Sequence, residues 1–363
     1  MEELRAQFPV LEWVAYLNAG TNGPVPRAGI EAAEASLREQ LERGRSSKPW
    51  FEHQVERIGQ LRERVAALLG ATAGDVAVTG STTDGVNAVL HAFDIRPGDE
   101  ILTSDEEHPG VLGPLATARD ARGARVRVVP FEELPDDVGP DTRFVVCSHV
   151  SWATGRVMDT RPLAASGALV ALDGAQGLGA VAIDVRALGC DFYAASGQKW
   201  LCGPGGMGYL YADPELVPEL PAPWSGYHAL EDPERGLDPA LWPDARRLGT
   251  GFPVPHHVEW AHASLDALEG AGFARVHERG IELAERLAQL LRERGVTVAP
   301  RGASTLVSFE VPDPPAFTER AAAEGLVVRG IPGRPLARAS VGAWNNDEEI
   351  ERLAGLADAA ASR

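Results

Sequence analysis

The chain has 363 residues, 44% of them hydrophobic, enough to bury a sizeable core and to divide into about two domains. Its 34 Lys and Arg against 52 Asp and Glu give a formal charge of -18, a field that repels phosphodiester backbones and anionic membranes, so no nucleic acid and no membrane is expected as partner. Cys147, Cys190 and Cys202 form an odd set without C-x-x-C spacing, which supports neither a disulfide framework nor a metal site. The opening MEELRAQFPV lacks an export signal and no stretch approaches a membrane span, so the expected location is cytoplasmic.

Apolar positions recur three and four apart from Pro26 to Gly44 and from Phe51 to Gly70, predicting two helices. Short β-branched runs follow: DVAVTG from Asp75, EILTS from Glu100, RVRVVP from Arg125, RFVVCSHV from Arg143, ALVALDGA from Ala168 and DFYAAS from Asp191. Most alternate with helical or polar segments, which predicts an α/β fold with a mainly parallel sheet covered on both faces. A helical pattern from Pro255 to about Gly295, strands near Ser304–Val311, Leu326–Arg329 and Ala337–Ala343, and a last helix from Asn346 predict a smaller α+β domain. We therefore divide the chain into a large domain over 1–254, with its segment 1–25 contributing to the active site, and a small C-terminal domain over 255–363.

Ligands of such sheets bind beyond the carboxyl ends of the strands, so the residues after each run are the candidates for chemistry. SGQKWLCGPGGMGYLY puts Lys199 just past an apolar strand, among Ser196, Gln198, Trp200 and four close glycines. That setting suits a buried amine able to form a Schiff base with an aldehyde, where an isolated lysine would be a solvated charge. Gly203, Gly205 and Gly208 have G-x-G-x-x-G spacing, but they lead into the strand-like GYLYA instead of a helix, which argues against a nicotinamide dinucleotide site.

Asp173 and Gln176 follow the strand in ALDGAQG. The aspartate either caps a helix or stands beside a pyridine nitrogen, keeping it protonated so that the ring withdraws electrons from a carbanion. GSTTDGVNAVL offers hydroxyls and N–H groups at a strand-to-helix turn, either as an ordinary cap or as a phosphate cradle. His108, after a further strand, is either a hydrogen-bonded structural residue or lies flat against an aromatic cofactor.

Together these segments resemble the class V aminotransferase family of pyridoxal 5′-phosphate (PLP) enzymes, the fold type I group of cysteine desulfurases, selenocysteine lyases and isopenicillin N epimerase. YLNAG, GSTTDG, EEH, SHVS, DGAQ, SGQKW, a GT and RAS-x-x-x-WN occur in the family's order over nearly the whole chain. The resemblance implies that Lys199 is the Schiff-base lysine, Asp173 the partner of the pyridine nitrogen, Gln176 a donor to the ring's phenolic oxygen and His108 the ring-stacking residue. It also implies that Thr82, Thr83, Ser196 and Gln198 bind the phosphate. Thr250, by the same resemblance, reaches the phosphate from the other subunit of a homodimer with a shared active site. Arg338 matches the arginine that takes an amino acid's α-carboxylate, and Arg329 is expected to line the same pocket.

Three departures narrow the expectation. The segment from Val328 to Arg338, VRGIPGRPLAR, lacks the desulfurases' loop cysteine, which disfavours a persulfide mechanism there. Gln198 replaces the usual histidine before the lysine, and Trp152 stands where asparagine is usual. Trp152, with Trp224 and Tyr227, hints at a substrate larger than cysteine. The expected activity is that of a transaminase or β-elimination C–S lyase acting at the α-carbon, with epimerisation as the alternative. An oxidoreductase and a catalytically silent PLP-binding protein are the readings from other classes.

Overall fold

The computed structural model describes residues 1–224, 226–249 and 251–361. Seven strands form the central sheet: β1 Val76–Thr79, β2 Glu100–Ser104, β3 Arg125–Val129, β4 Thr142–Ser148, β5 Leu169–Asp173, β6 Phe192–Ser196 and β7 Gly208–Ala212. Their spatial order is β1-β7-β6-β5-β4-β2-β3. Only β7 runs against its neighbours, pairing antiparallel with β1 and β6, so the sheet is mainly parallel as the alternating pattern predicts. Helices cover both faces, which is why every residue of β2, β6 and β7 is buried and why these strands lack the alternation of a sheet with one face in water.

Register carries the consequence for function. Ser148 at the end of β4 is aligned with Asp173 at the end of β5, and Asp173 with Ala194 in β6. Three adjacent strands therefore deliver polar residues to one edge.

A smaller antiparallel sheet, β8 Leu306–Glu310, β9 Arg329–Ile331 and β10 Leu336–Ser340, has the order β8-β10-β9. The helices Phe273–Glu293, Pro314–Ala323 and Asp347–Ala361 pack on it around Leu287, Leu291, Phe309, Phe317, Ile350 and Leu353. The long pattern after Pro255 is two helices, Pro255–Ala271 and Phe273–Glu293, because Gly272 takes φ 84 between them. The first helix packs against Arg27–Arg43, and its Val258, Ala261 and Leu265 join the core of the larger sheet. The amino-terminal segment crosses to the smaller sheet: Ala15 and Tyr16 pair in parallel with Leu326 and Val327, and Asn18 bridges to Ser340. A short hairpin of Leu230–Asp232 with Ala240–Leu241 is an addition that the sequence pattern does not announce. No helix among the described residues is long and apolar enough to cross a membrane.

Candidate active site

Past the carboxyl ends of β5 and β6 lies a cleft of about 270 Å³. Lys199 lines it from the turn after β6, and burial lowers its amine from 10.5 to about 8, with Asp173 opposing and Arg338 and Arg329 reinforcing the shift. Asp173, the last residue of β5, is buried and accepts from the Ala175 N–H at 2.8 Å. Burial raises its pKa and the charge of Lys199 pulls it back. A carboxylate and an amine thus face one cleft at the ends of neighbouring strands.

Opposite them is the amino end of helix Thr82–Ala92, capped by Ser81, whose hydroxyl accepts from the Asp84 N–H at 3.1 Å. Thr82 and Thr83 occupy its first turn and line the cleft with Ser196 and Gln198. Thr82 Oγ1, Ser196 Oγ and Gln198 Oε1 are buried without a hydrogen-bond partner. Buried polar groups are rarely left unpaired, so unpaired groups at a helix amino end fit a phosphate. The unpaired hydroxyls of Thr82 and Ser196 therefore fit the phosphate-bearing cofactor that the motifs imply, whereas Gln198 Oε1 is an acceptor and the Gln198 amide could serve a phosphate only through its Nε2.

His108 caps helix Pro109–Arg122, its Nδ1 accepting from the Gly110 N–H at 3.0 Å. Burial, aided by the charges of Lys199, Arg329 and Arg338, lowers its pKa from 6.5 to about 4, so the ring is neutral. The same ring meets Trp152 edge-on at 5.1 Å between centroids. Gln176 donates through Nε2 to the Gly20 carbonyl at 2.8 Å and accepts at Oε1 from the Trp200 indole at 3.0 Å. One amide hydrogen is left for a ligand oxygen.

The smaller sheet supplies the far wall. Arg338, fully buried on β10, donates to the Trp152 carbonyl at 2.7 Å and to Thr21 Oγ1 at 3.3 Å. Burial, then the nearby Arg329, pulls its guanidinium down to about 9. Arg329 lies beside it on β9, 3.4 Å from Thr21 Oγ1 and 5.3 Å from the Trp152 ring centroid.

Eleven of the residues singled out in the sequence converge here: Thr82, Thr83, His108, Trp152, Asp173, Gln176, Ser196, Gln198, Lys199, Arg329 and Arg338. Thr250 lies outside the described residues. Trp224 and Tyr227 are elsewhere, the first against His91, the second in a separate apolar cleft with Phe51 and Phe252. The turn Gly203–Gly206 runs into β7 and no helix follows it. Gly20 and Thr21, which line the cleft, and Gly23, whose N–H donates to the Gln198 carbonyl at 2.8 Å, are not among the residues that the sequence motifs mark. One signal went unread: Lys48 and Lys199 are the only lysines among the 34 Lys and Arg of this arginine-rich chain.

Residues 15–353 match the family Aminotransferase class-V. Isopenicillin N epimerase of Streptomyces clavuligerus is 30% identical over 99% of this chain and 98% of its own. A probable cysteine desulfurase of Methanothermobacter thermautotrophicus is 29% identical over 79% of this chain and 74% of its own. The solved structure of a C-DES lysine-to-alanine mutant, with glycine covalently linked to the PLP cofactor, superposes with a TM-score of 0.89 at 27% identity, covering 98% of this chain and 99% of that one. The shared architecture, the match over most of the length and the ordered motifs agree: this chain belongs to the class V aminotransferase family of PLP-dependent enzymes.

Proposed function

We propose that this protein binds PLP on Lys199 and breaks a bond at the α-carbon of an amino acid, by transamination or β-elimination. The observation that carries the proposal is the half-buried Lys199, whose amine faces the same cleft as the buried Asp173 carboxylate and polar atoms that lack partners. When bound, PLP supplies an electron sink for the pair left on the α-carbon.

The chain's own residues would divide the remaining work. Thr82, Thr83, Ser196 and Gln198, with the amino end of helix Thr82–Ala92, would hold the phosphate. Asp173 would pair with the ring nitrogen, His108 would cover the ring, and Gln176 would donate to its phenolic oxygen. Arg338 would orient the substrate through its α-carboxylate by a planar two-pronged contact. The Lys199 amine, lowered to about 8 and so neutral in about one molecule in ten at pH 7, would take the α-proton as general base. Thr250 would complete the phosphate site of a second subunit in a homodimer.

Among the described residues no cysteine lines the cleft, so no thiol there stands ready to accept sulfur, which favours transamination or simple elimination over desulfuration. C-DES, similar in fold, is a cystine C–S lyase solved with cysteine persulfide, which supports elimination. The full-length likeness to an epimerase favours return of the proton on either face as the second reading.

The purified protein should be yellow, and borohydride should bleach it while adding the cofactor mass to the peptide carrying Lys199 but not to that carrying Lys48. Lys199→Ala should be colourless. Incubation with amino acids, scored for keto acid, pyruvate plus thiol, or racemised product, identifies the reaction; unmodified Lys199 after reduction defeats the proposal.

A further inference from the structure

Arg329 and Arg338 are register partners on antiparallel strands, so their side chains rise from one face of the sheet. Like charges directly opposite each other are destabilising, and here both guanidiniums converge on a single neutral hydroxyl, Thr21 Oγ1. Among the described residues no carboxylate pairs with either one, although this chain has 52 acidic residues to draw on. Arg338 Nε and Trp152 Nε1 are also buried donors without acceptors. This wall of the cleft offers positive charge and unpaired donors, and its acceptors, the Trp152 carbonyl and Thr21 Oγ1, are neutral.

The charges in the cleft can be balanced group by group. Its lining has three cations, Lys199, Arg329 and Arg338, and one carboxylate, Asp173. On the function proposed above, Lys199 is covalently engaged with the cofactor, Asp173 answers the ring nitrogen, and the phosphate's charge is held through hydroxyls and the amino end of helix Thr82–Ala92, with neither guanidinium as its direct partner. The substrate's α-carboxylate answers Arg338. One guanidinium, that of Arg329, is left over.

We infer that the substrate carries a second anionic group on its side chain, and that Arg329 is the specificity-determining residue that binds it; the preferred class is an amino acid with an acidic side chain. This inference rests on the proposed function for the identity of the first anion. Trp152 contributes by holding the Arg329 guanidinium over its ring face.

The test compares the loaded enzyme's kcat/KM for glutamate and aspartate with that for the near-isosteric glutamine and asparagine. A charge-assisted contact predicts preference for the acid by about 10-fold to 100-fold. Arg329→Gln should bring that ratio to near unity mainly through KM, and Arg329→Lys should keep part of it. Binding is read separately by calorimetry, with glutarate expected to bind tighter than pentanoate in wild type and equally in Arg329→Gln. Equal use of glutamine and glutamate by the wild type, equal binding of glutarate and pentanoate, or a preference unchanged in Arg329→Gln overturns the inference. A protein that takes no cofactor on Lys199 defeats the proposed function instead, and the diacid titration still reads the arginine pair.

Discussion

The Trp200 indole donates to Gln176 Oε1 at 3.0 Å, and so ties the turn that bears Lys199 to the turn that follows Asp173. Both side chains are buried, so the contact is not exchanged for water. Trp200→Phe keeps most of the ring volume and leaves Gln176 Oε1 without its donor, at a cost of about 1–3 kcal/mol. Urea unfolding should show a lower midpoint with an unchanged slope, and the cofactor should leave faster on dialysis. A variant with wild-type stability and retention would show that the two turns are held independently.

Gly174 is the tightest point in that arrangement. A Cβ there would lie 1.9 Å from the Tyr193 ring, which sits under the turn with its hydroxyl 2.9 Å from His149 Nδ1. Gly174→Ala therefore displaces the Asp173–Gln176 turn or the ring, and overpacking of this kind costs about 1–3 kcal/mol. Activity should fall more than stability, because Asp173 moves with the turn. Adding Tyr193→Leu to Gly174→Ala opens the space and should restore part of the activity, measured against Tyr193→Leu alone.

Much of this was legible in the chain. Fully buried parallel strands leave continuous apolar runs, and the residues just after them had to be the site, so Asp173 and Lys199 stood out. The amino-terminal contribution was harder to place. Thr21 meets Arg329 and Arg338 across a separation of more than 300 residues, and no local periodicity encodes such a contact. The split at Gly272 was also hidden, since one positive-φ residue resets the direction of a helix without changing the apolar spacing on either side. The hairpin at Leu230–Asp232 is short, only partly buried and polar, and so lacks the alternation that marks a strand.

Stability should depend on acid through the buried histidines. His149, like His108, is lowered by burial from 6.5 to about 4. Between those values the unfolded chain binds the proton and the folded one does not, so stability is present above about 6.5 and is lost as pH falls towards 4. Glu107, pushed up from 4.5 to about 7 by burial, acts in the opposite sense, because its folded form holds a proton that the unfolded chain releases. A variant comparison isolates the histidine: His149→Gln should flatten the acid limb by one proton, about 1.4 kcal/mol per pH unit. Parallel curves for wild type and variant would show that His149 is protonated in the fold.

The amine of Lys199 can be followed without any turnover, because the chain has one other lysine. Lys48 is exposed, with 84% of its side chain accessible, and serves as an internal standard. In cofactor-free protein, labelling by an amine-selective reagent requires the neutral amine, so its rate tracks the fraction deprotonated. Burial lowers the Lys199 value to about 8, with Arg338 and Arg329 adding repulsion and Asp173 resisting. Its labelling should therefore rise about tenfold per pH unit below 8 and level off above it. Asp173→Asn removes the negative charge that favours the ammonium form, so the midpoint should move lower in that variant. Arg338→Leu removes a repelling charge and should move it higher. A Lys199 midpoint that stays at the ordinary 10.5 in all three proteins would mean the amine is solvated, and the general-base role assigned to it would fail.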